Sequence, residues 1–261
     1  MKWKIACIQM DIAFGNPEEN YKKAELLLAE AAKSRPDAVV LPELWTTGYD
    51  LTRLDSIADD RAETTLSFLK NCALKHGFHI IGGSVAKRTE DGVYNTLLVV
   101  DKNGREIKQY SKLHLFQLMD EHHYLKPGSS DGHFVLDDTS CAGFICYDIR
   151  FPEWMRTHAA DGAEILFVAA EWPAPRIQHW KSLLISRAIE NQAYVVAVNR
   201  SGSDPKNAFG GCSLIIDPWG EILGEGGQGE QILSAELDLA RVQEVRGMIP
   251  VFQDRRTDFY K

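Results

Sequence analysis

The sequence predicts an α/β protein with mixed β-sheets that carry helices on their outer faces. Short apolar runs alternate with segments of helical apolar spacing, which is typical of β/α units with parallel strands. Two stretches, at 94–111 and around 217–220, instead have the strand–turn–strand pattern of a hairpin, so antiparallel pairs are expected as well. Two sheets facing each other between two helical layers fit the number of strands. One large doubly wound sheet is the alternative.

The first β/α unit has clear boundaries in the sequence. Residues 3–10 are predicted to form a buried strand, and Asn16-Pro17-Glu18-Glu19 offers an N-cap, a first-turn proline and a capping-box carboxylate for a helix over about 17–34. Arg35-Pro36-Asp37 breaks this helix. The apolar run 38–41 is typical of a strand buried on both faces, and it ends at Pro42-Glu43.

The middle of the chain changes from β/α alternation to a hairpin. A helix at about 59–76 carries apolar residues on one face, and a strand over 78–85 follows it. Strands at 94–100 and 105–111 then flank an Asp-Lys-Asn-Gly turn. Residues 112–133 are polar and aromatic with weak periodicity, which indicates an ordered loop over a site.

The second half returns to β/α alternation. An apolar run from Ser140 ends on Cys146, and Pro152 suits the first turn of a helix that runs to about Gly162. The remaining predicted elements are a strand at 164–170, a helix at about 176–192, a strand at 193–199, the hairpin around 217–220, a strand near 230–236, and a short helix with an irregular tail over 238–261.

Length and composition indicate one globular domain over residues 1–261. The chain is 44% hydrophobic and 25% charged, and no Pro/Gly/Ser-rich linker divides it. Its formal net charge is -8, and its basic residues are scattered. Because phosphate binding needs clustered Lys and Arg, a nucleic-acid partner is not expected.

The expected location is the cytoplasm, with no membrane association. The amino terminus leads into a strand pattern without the apolar core of a secretory signal, and no apolar run approaches the roughly 20 residues that span a bilayer. Five cysteines form an odd set without a Cys-x-x-Cys motif, so reduced thiols are expected.

Neither a metal nor a cofactor is expected. The pair His122-His123 lacks the i, i+4 spacing that places two ligands on one helix face. No Cys/His cluster accompanies His114, His158 or His179.

Cys146 is the candidate nucleophile, because a side chain between a buried strand and a helix start is held rigidly and faces a cleft. Amide hydrolysis by a thiol also needs a base and a donor for the developing oxyanion. Glu43 and Lys112 also follow predicted strands, and sites gather at the carboxyl ends of strands. A free thiol has a pKa of about 8.5, so a neighbouring base and cation are expected to produce the thiolate. A structural cysteine, a turn carboxylate and a solvated lysine are the competing interpretations.

Three stretches resemble the Glu, Lys and Cys motifs of the nitrilase superfamily of carbon–nitrogen hydrolases. They are LPELWTTGY at 41–49, YSKLHLF at 110–116 and GFICYDIRFPEW at 143–154, and the likeness extends over nearly the whole chain. The resemblance implies a four-layer αββα sandwich and a Glu–Lys–Cys triad. It also implies a homodimer or larger homo-oligomer, with the tail 247–261 packing at a subunit interface.

Carried over to this chain, the resemblance makes Cys146 the nucleophile and Glu43 the general base and later acid. Lys112 then stabilises the tetrahedral oxyanion together with the backbone N–H of Tyr147. Glu121 corresponds to a second active-site glutamate that holds the substrate amide or the triad lysine. The implied reaction is thioester formation with release of ammonia, followed by hydrolysis.

Within the superfamily, CYDIRFPEW together with KLHLF, DEHHY and AEWP is most similar to the ω-amidase branch, especially bacterial members linked to methionine salvage. Such enzymes deaminate ω-amides of 2-oxo acids such as 2-oxoglutaramate. Arg150 is then the predicted partner of the substrate carboxylate, because its planar fork binds carboxylates bidentately. A structural ion pair with Asp148 or a nearby acid is the alternative. Trp172 and Phe116 are predicted pocket walls, with core packing as the competing interpretation.

Two other functions stay open. An N-carbamoyl amino acid hydrolase also needs an arginine for its substrate carboxylate, and a nitrilase-like binding subunit without activity would share the fold. A true nitrilase is disfavoured, because Tyr147-Asp148 replaces the aromatic-rich flank expected after its cysteine.

Overall fold

The protein contains two separate mixed β-sheets, as seen in a computed structural model that describes residues 1–260 and leaves Lys261 outside the described part. The first sheet has seven strands: β1 (Lys2–Gln9), β2 (Ala38–Val40), β3 (Asp59–Asp60), β4 (His79–Thr89), β5 (Gly92–Val100), β6 (Glu106–Ser111) and β13 (Gln231–Asp238). The second has six: β7 (His133–Leu136), β8 (Thr139–Ile145), β9 (Ile165–Ala170), β10 (Tyr194–Asn199), β11 (Leu214–Ile216) and β12 (Ile222–Glu225).

Helices connect and cover these strands. The α-helices are α1 (Pro17–Ala32), α2 (Leu54–Ile57), α3 (Glu63–His76), α4 (Glu121–Tyr124), α5 (Pro152–Ala160), α6 (Ile177–Asn191) and α7 (Ala240–Met248). Short 3₁₀ turns lie at Leu51–Arg53, Gln117–Met119, Cys146–Arg150 and Ala174–Arg176. Within residues 1–260, no helix has the length and apolar character needed to cross a bilayer.

Both sheets combine a parallel centre with antiparallel edges. The first sheet has the order β13-β1-β2-β4-β5-β6, in which β1, β2 and β4 are parallel and β3 pairs with β4. The second has the order β12-β11-β10-β9-β8-β7, with β8, β9 and β10 parallel. The prediction of mixed sheets is confirmed, and the alternative of one large sheet is wrong.

The layers follow the αββα order. β1 packs against β10 and β4 against β9, so the sheets face each other, while α1 and α3 cover the first sheet and α5 and α6 the second. Buried side chains such as Val40, Val99 and Phe167 belong to the cluster that contains the inward faces of both sheets. The four-layer sandwich implied by the family resemblance is therefore confirmed.

The helix predicted from about residue 59 begins at Glu63 instead. The Asp59 carboxylate accepts hydrogen bonds from the backbone N–H groups of Thr64 and Thr65 at 3.2 and 2.7 Å. Arg61 and Ala62 have φ values of 50° and 59°, which are incompatible with a continuous α-helix. Asp59 thus caps the first turn of α3 although it lies four residues before Glu63, and its own segment joins the sheet as β3.

Two further segments differ from expectation. The predicted loop 112–133 contains the 3₁₀ turn at Gln117–Met119 and helix α4, and its last residue begins β7, which pairs with β8. In the tail 247–260, Phe252 lies 5.1 Å from the guanidinium carbons of both Arg156 and Arg246. Part of the tail therefore packs on its own chain, and its role at a subunit interface stays a prediction.

Functional side chains gather where strands of the two sheets end. Glu43 follows β2 and Lys112 follows β6 in the first sheet, while Cys146 follows β8 directly in the second. Glu171 and Arg200 directly follow β9 and β10. Because the sheets face each other, these five residues meet at one rim of the sandwich.

Candidate active site

Three of the predicted residues form a fully buried cluster of charges. Lys112 Nζ lies 2.8 Å from Glu43 Oε1 and 2.6 Å from Glu121 Oε1, and all three side chains are 0% exposed. Charges buried to this extent are stable only when paired and hydrogen-bonded. The structure thus brings together Glu43, Lys112 and Glu121 as the sequence analysis expected.

Hydrogen bonds from four elements fix the Glu43 carboxylate. Its Oε1 also accepts from Asn95 Nδ2 at 2.8 Å and from the Tyr49 hydroxyl at 3.1 Å. Its Oε2 accepts from the backbone N–H of Glu171 at 2.8 Å. The carboxylate therefore has a single orientation at the rim, where it can exchange a proton with a neighbouring group.

A glycine in β4 allows the turn that carries Glu43 to come close. Gly83 has φ of 59°, and a Cβ atom there would lie 2.0 Å from the Pro42 carbonyl oxygen. The next residue, Ser84, donates its N–H to that carbonyl at 3.1 Å. Only glycine fits this contact, because any side chain would push the Pro42–Glu43 turn away from the sheet.

Glu121 contacts the lysine through one oxygen and the pocket wall through the other. Its Oε1 accepts from Lys112 and from the Tyr49 hydroxyl at 2.5 Å, and its Oε2 accepts from the Phe116 N–H at 2.7 Å. Burial raises the pKa of Glu121, and the Glu43 carboxylate adds to this effect while Lys112 opposes it. The resemblance implied that Glu121 holds either the substrate amide or the triad lysine, and the structure contains the contact with Lys112.

Lys112 keeps its positive charge in this setting. Burial alone lowers the pKa of a lysine, but the Glu121 and Glu43 carboxylates more than offset it and raise the pKa of Lys112 well above its ordinary value. The ammonium group is thus a permanent donor at the rim.

Cys146 occupies a strained strand-to-helix turn. It directly follows β8, begins the Cys146–Arg150 turn, has φ of 44° and is 4% exposed. A residue other than glycine pays for left-handed backbone with strain, a situation that clusters at functional sites. The backbone N–H of Tyr147, the next residue, lies in the first turn of this helical segment, where N–H groups have no acceptor within the segment.

The Cys146 sulfur is a thiol in the resting site. Burial raises its pKa well above the ordinary value, and the nearby Glu43 carboxylate raises it further, while Lys112 lowers it. The neighbouring base and cation thus do not lower the pKa of the free thiol, because the second carboxylate, Glu121, also disfavours another anion. Proton removal has to accompany attack on the substrate.

Asp148 anchors the cysteine turn and does not pair with Arg150. Its Oδ2 accepts from the Tyr110 hydroxyl at 2.7 Å and from the Ile145 N–H at 3.0 Å. Its Oδ1 accepts from the backbone N–H of His114 at 3.2 Å and lies 2.8 Å from His114 Nδ1. The alternative interpretation of Arg150 as the ion-pair partner of Asp148 is thus wrong.

We expect Asp148→Asn to lower the free energy of unfolding by about 2–4 kcal/mol. The amide NH₂ of asparagine would face donor groups from which the replaced carboxylate oxygen accepted hydrogen bonds. Urea denaturation measures the loss. The matched control is Asp138→Asn, at an exposed position with φ of 65° that asparagine tolerates. An Asp148→Asn protein as stable as the control would contradict the anchoring role.

A small pocket opens onto Cys146. It is lined by Phe116, Cys146, Tyr147, Arg150, Glu171, Trp172, Pro173 and Arg176. All four predicted pocket residues therefore share one cavity with the sulfur. Trp172 is also part of the core at 3% exposure, so its packing and pocket roles coincide.

Two arginines lie across aromatic rings at this pocket. The guanidinium carbon of Arg150 is 4.8 Å from the Trp172 ring centre, and that of Arg176 is 5.4 Å from the Phe116 ring centre. Within residues 1–260 neither forms an ion pair with a carboxylate, and Arg150 contacts His179 Nδ1 at 3.3 Å. Burial and the neighbouring Arg176 lower the pKa of Arg150. The pocket thus combines apolar walls with two available cations.

Several site residues were missed by sequence reasoning. Glu171 and Arg176 line the pocket, and Tyr49 and Asn95 bind the carboxylates of the cluster. Glu171 directly follows an apolar strand run, which is the signal that identified Glu43. Asn95 lies inside a strand pattern, where nothing local distinguishes it.

No metal centre is found in the described chain. Within residues 1–260, no group of three or more His, Cys, Asp or Glu side chains has an arrangement that could hold a metal ion. His158, one of the histidines considered above, is bonded to the N–H of Gly132 at 2.9 Å.

The four-layer fold and the cysteine beside a buried carboxylate–ammonium pair define a class of hydrolases. The carbon–nitrogen hydrolase family model matches residues 4–247. The chain therefore belongs to the carbon–nitrogen hydrolase family.

Individual relatives narrow this placement. A 2-oxoglutaramate amidase of Bacillus subtilis is 58% identical over 260 residues, covering 100% of both chains. The ω-amidase YafV of Yersinia enterocolitica is 35% identical over 254 residues, covering 96% of each chain. Among solved structures, a superfamily protein of Xanthomonas campestris with an arsenic adduct in its active site superposes with a TM-score of 0.92 at 31% identity, covering 98% of this chain and 97% of the other.

Proposed function

We propose that this protein is an ω-amidase that hydrolyses the ω-amide of a small 2-oxo acid of the 2-oxoglutaramate type and releases ammonia. The observation that carries the proposal is the pocket that joins Cys146 to two guanidinium groups without carboxylate partners in the described chain. The 58% identity to a 2-oxoglutaramate amidase over the full chain supports it.

The first half-reaction acylates Cys146. The thiol attacks the amide carbon while its proton passes to Glu43, which avoids a free thiolate in a buried site that disfavours one. Negative charge develops on the amide oxygen, where the Lys112 ammonium and the Tyr147 N–H stabilise it. Glu43 then gives its proton to the amide nitrogen, the C–N bond breaks, and ammonia leaves a thioester.

The second half-reaction restores the enzyme. Glu43 takes a proton from a water molecule, the resulting hydroxide attacks the thioester carbon, and the same donors stabilise the second oxyanion. The C–S bond then breaks, and Glu43 returns its proton to the sulfur. Glu121 supports both steps by holding the Lys112 ammonium at 2.6 Å.

The pocket also suits a carboxylate. Arg150 and Arg176 are the cations available there, and their stacking on Trp172 and Phe116 restricts their orientation. The pocket is small, and Cys146 lines it together with both arginines, which favours a short substrate chain. A small ω-amide with a terminal carboxylate meets both requirements.

We expect Arg150→Ala to raise KM for 2-oxoglutaramate about 10–100-fold, because a charged hydrogen-bond partner of the carboxylate is lost. The KM for butyramide, which has no carboxylate, should stay close to the wild-type value. Steady-state ammonia release measures both constants, with Arg105→Ala as a control whose side chain is 73% exposed. Equal losses on the two amides would contradict carboxylate binding by Arg150.

Ammonia release from 2-oxoglutaramate, glutamine, a simple nitrile and an N-carbamoyl amino acid tests the proposed function. Fast turnover of 2-oxoglutaramate is the expected result. The same arginines would suit an N-carbamoyl amino acid, and release of carbon dioxide with ammonia would identify that reaction. Silence on all four compounds would favour a binding subunit without activity.

We also propose the cellular setting that the sequence analysis anticipated. All five cysteines are free thiols, which supports a reducing, cytoplasmic location. A homodimer or larger homo-oligomer and a place in methionine salvage are proposed from the family resemblance. Size-exclusion chromatography with light scattering measures the assembly directly.

A further inference from the structure

A third buried carboxyl group belongs to the active site. Glu171 follows β9, is 0% exposed and lines the same cavity as Cys146. Its backbone N–H already bonds Glu43 Oε2 at 2.8 Å, so its side chain starts beside the proposed proton carrier. The mechanism described above uses no part of this side chain.

One oxygen of this carboxyl group is bonded and the other is not. Glu171 Oε2 accepts from Arg200 Nη1 at 2.8 Å, and Arg200 is itself 0% exposed. Glu171 Oε1 is buried and has no hydrogen-bond partner among the protein atoms of residues 1–260. Because an unsatisfied buried acceptor is costly, such an atom next to a nucleophile indicates a contact that the substrate completes.

Arg200 holds the carboxyl group in place. Its Nη2 donates to the Ile12 carbonyl oxygen at 2.8 Å, and its guanidinium carbon lies 4.2 Å from the Phe209 ring centre. With Oε2 fixed by this anchored cation, Glu171 cannot turn Oε1 towards Arg200. Its Oε1 remains free for a donor in the pocket.

In the mechanism described above, the N–H donors of a primary amide are the polar groups that lack a partner. The oxygen faces Lys112 and the Tyr147 N–H, and the nitrogen must face Glu43 to receive its proton. The amide NH₂ carries two N–H donors, and Glu171 is the neighbour of Glu43 with a spare acceptor. We propose that Glu171 is a substrate-binding residue whose Oε1 accepts a hydrogen bond from the NH₂ group of the substrate amide, a role that rests on the proposed amidase function.

To accept from the amide N–H, Glu171 acts in its ionised form, and this requirement sets a pH dependence. The pKa of Glu171 is raised to about 8, mainly by burial. The carboxylates of Glu43 and Asp204 also raise it, and Arg200 opposes them. The other ionisable or charged residues that line the pocket are Cys146, Tyr147, Arg150 and Arg176. An N–H donor in the pocket stabilises the ionised form, so kcat/KM for an amide should increase as the pH rises through this range.

The test compares an amide with an ester that lacks the N–H donors. The first pair of probes is 2-oxoglutaramate and the ω-methyl ester of 2-oxoglutarate. The second pair is butyramide and methyl butyrate. Glu171→Gln is the main variant, because its carbonyl oxygen can still accept from Arg200 while its NH₂ would face the substrate NH₂. Glu171→Ala is the second variant. The amide-to-ester ratio of kcat/KM is independent of the folded fraction of each preparation.

Both variants should lower kcat/KM for the amide about 10–100-fold and for the ester by less than about threefold. Equal losses on amide and ester, or a Glu171→Gln enzyme with the wild-type ratio, would overturn the proposal. Wild-type activity on butyramide but not on 2-oxoglutaramate would reject the proposed substrate class, and the butyramide pair would then decide the role of Glu171. Wild-type silence on both amides would overturn both proposals.

Discussion

Cys146→Ala is expected to abolish ammonia release from 2-oxoglutaramate, with a loss of about 10⁴-fold or more in kcat, since removal of a nucleophile leaves only substrate binding and oxyanion stabilisation. The variant should fold normally. The sulfur is small and buried, and alanine retains the backbone N–H groups of the turn. Its melting temperature, measured beside activity, separates lost chemistry from lost structure.

Cys72→Ala is the matched control for this variant. Cys72 is 5% exposed in α3, on the outer side of the first sheet, where alanine is a good helix former. It should retain wild-type kcat. Substantial turnover by Cys146→Ala, with an inactive Cys72→Ala, would remove Cys146 from the mechanism.

Lys112→Ala is expected to lower kcat by about 10²–10³, the size of effect seen when an oxyanion donor is lost. It should also destabilise the fold by about 3–5 kcal/mol, because two buried carboxylates lose their shared cation. Both effects have one cause, the position of Nζ between Glu43 and Glu121. Single-turnover rates and urea denaturation measure them separately.

The activity and stability effects can be separated with a second change. Adding Glu121→Gln to Lys112→Ala removes one of the uncompensated carboxylates, so part of the stability should return without a return of kcat. Lys108→Ala, in strand β6 just before Lys112 and paired with the exposed Asp131, should change neither quantity much. Normal kcat in Lys112→Ala would exclude the lysine as the oxyanion donor.

Much of the fold could be predicted because local signals agreed with it. The capping residues around Asn16, the proline at 152 and the turn at 101–104 mark element boundaries that the structure keeps within a few residues. Where the structure departs from prediction, a distant or unusual contact decides. Asp59 lies in a strand and not in helix α3, because its carboxylate accepts hydrogen bonds from the first turn of that helix. Strand β7 forms because its backbone pairs with β8. Neither contact produces a periodic pattern of apolar residues that would reveal it in the sequence.

The candidate site was predictable only in part, for a similar reason. Glu43, Lys112 and Cys146 stand in recognisable motifs at strand ends, and Arg150 lies in the motif of the cysteine. Asn95 and Tyr49 contribute through the packing of separate elements, which no single stretch of sequence reveals. Arg176 appears as an ordinary residue at a helix start until Phe116, 60 positions away, comes into contact with it.

The pairing of β1 with β13 has a consequence for synthesis on the ribosome. Lys2 lies opposite Asp238 and Gln9 opposite Gln231, so β1 receives one of its two neighbours only after β2 to β12 have been made. Such distant pairing is slow to form, and an unpaired strand edge can associate with other chains. The nascent protein therefore exposes an open sheet edge through most of its translation, and its yield in cells should depend on chaperones that shield that edge.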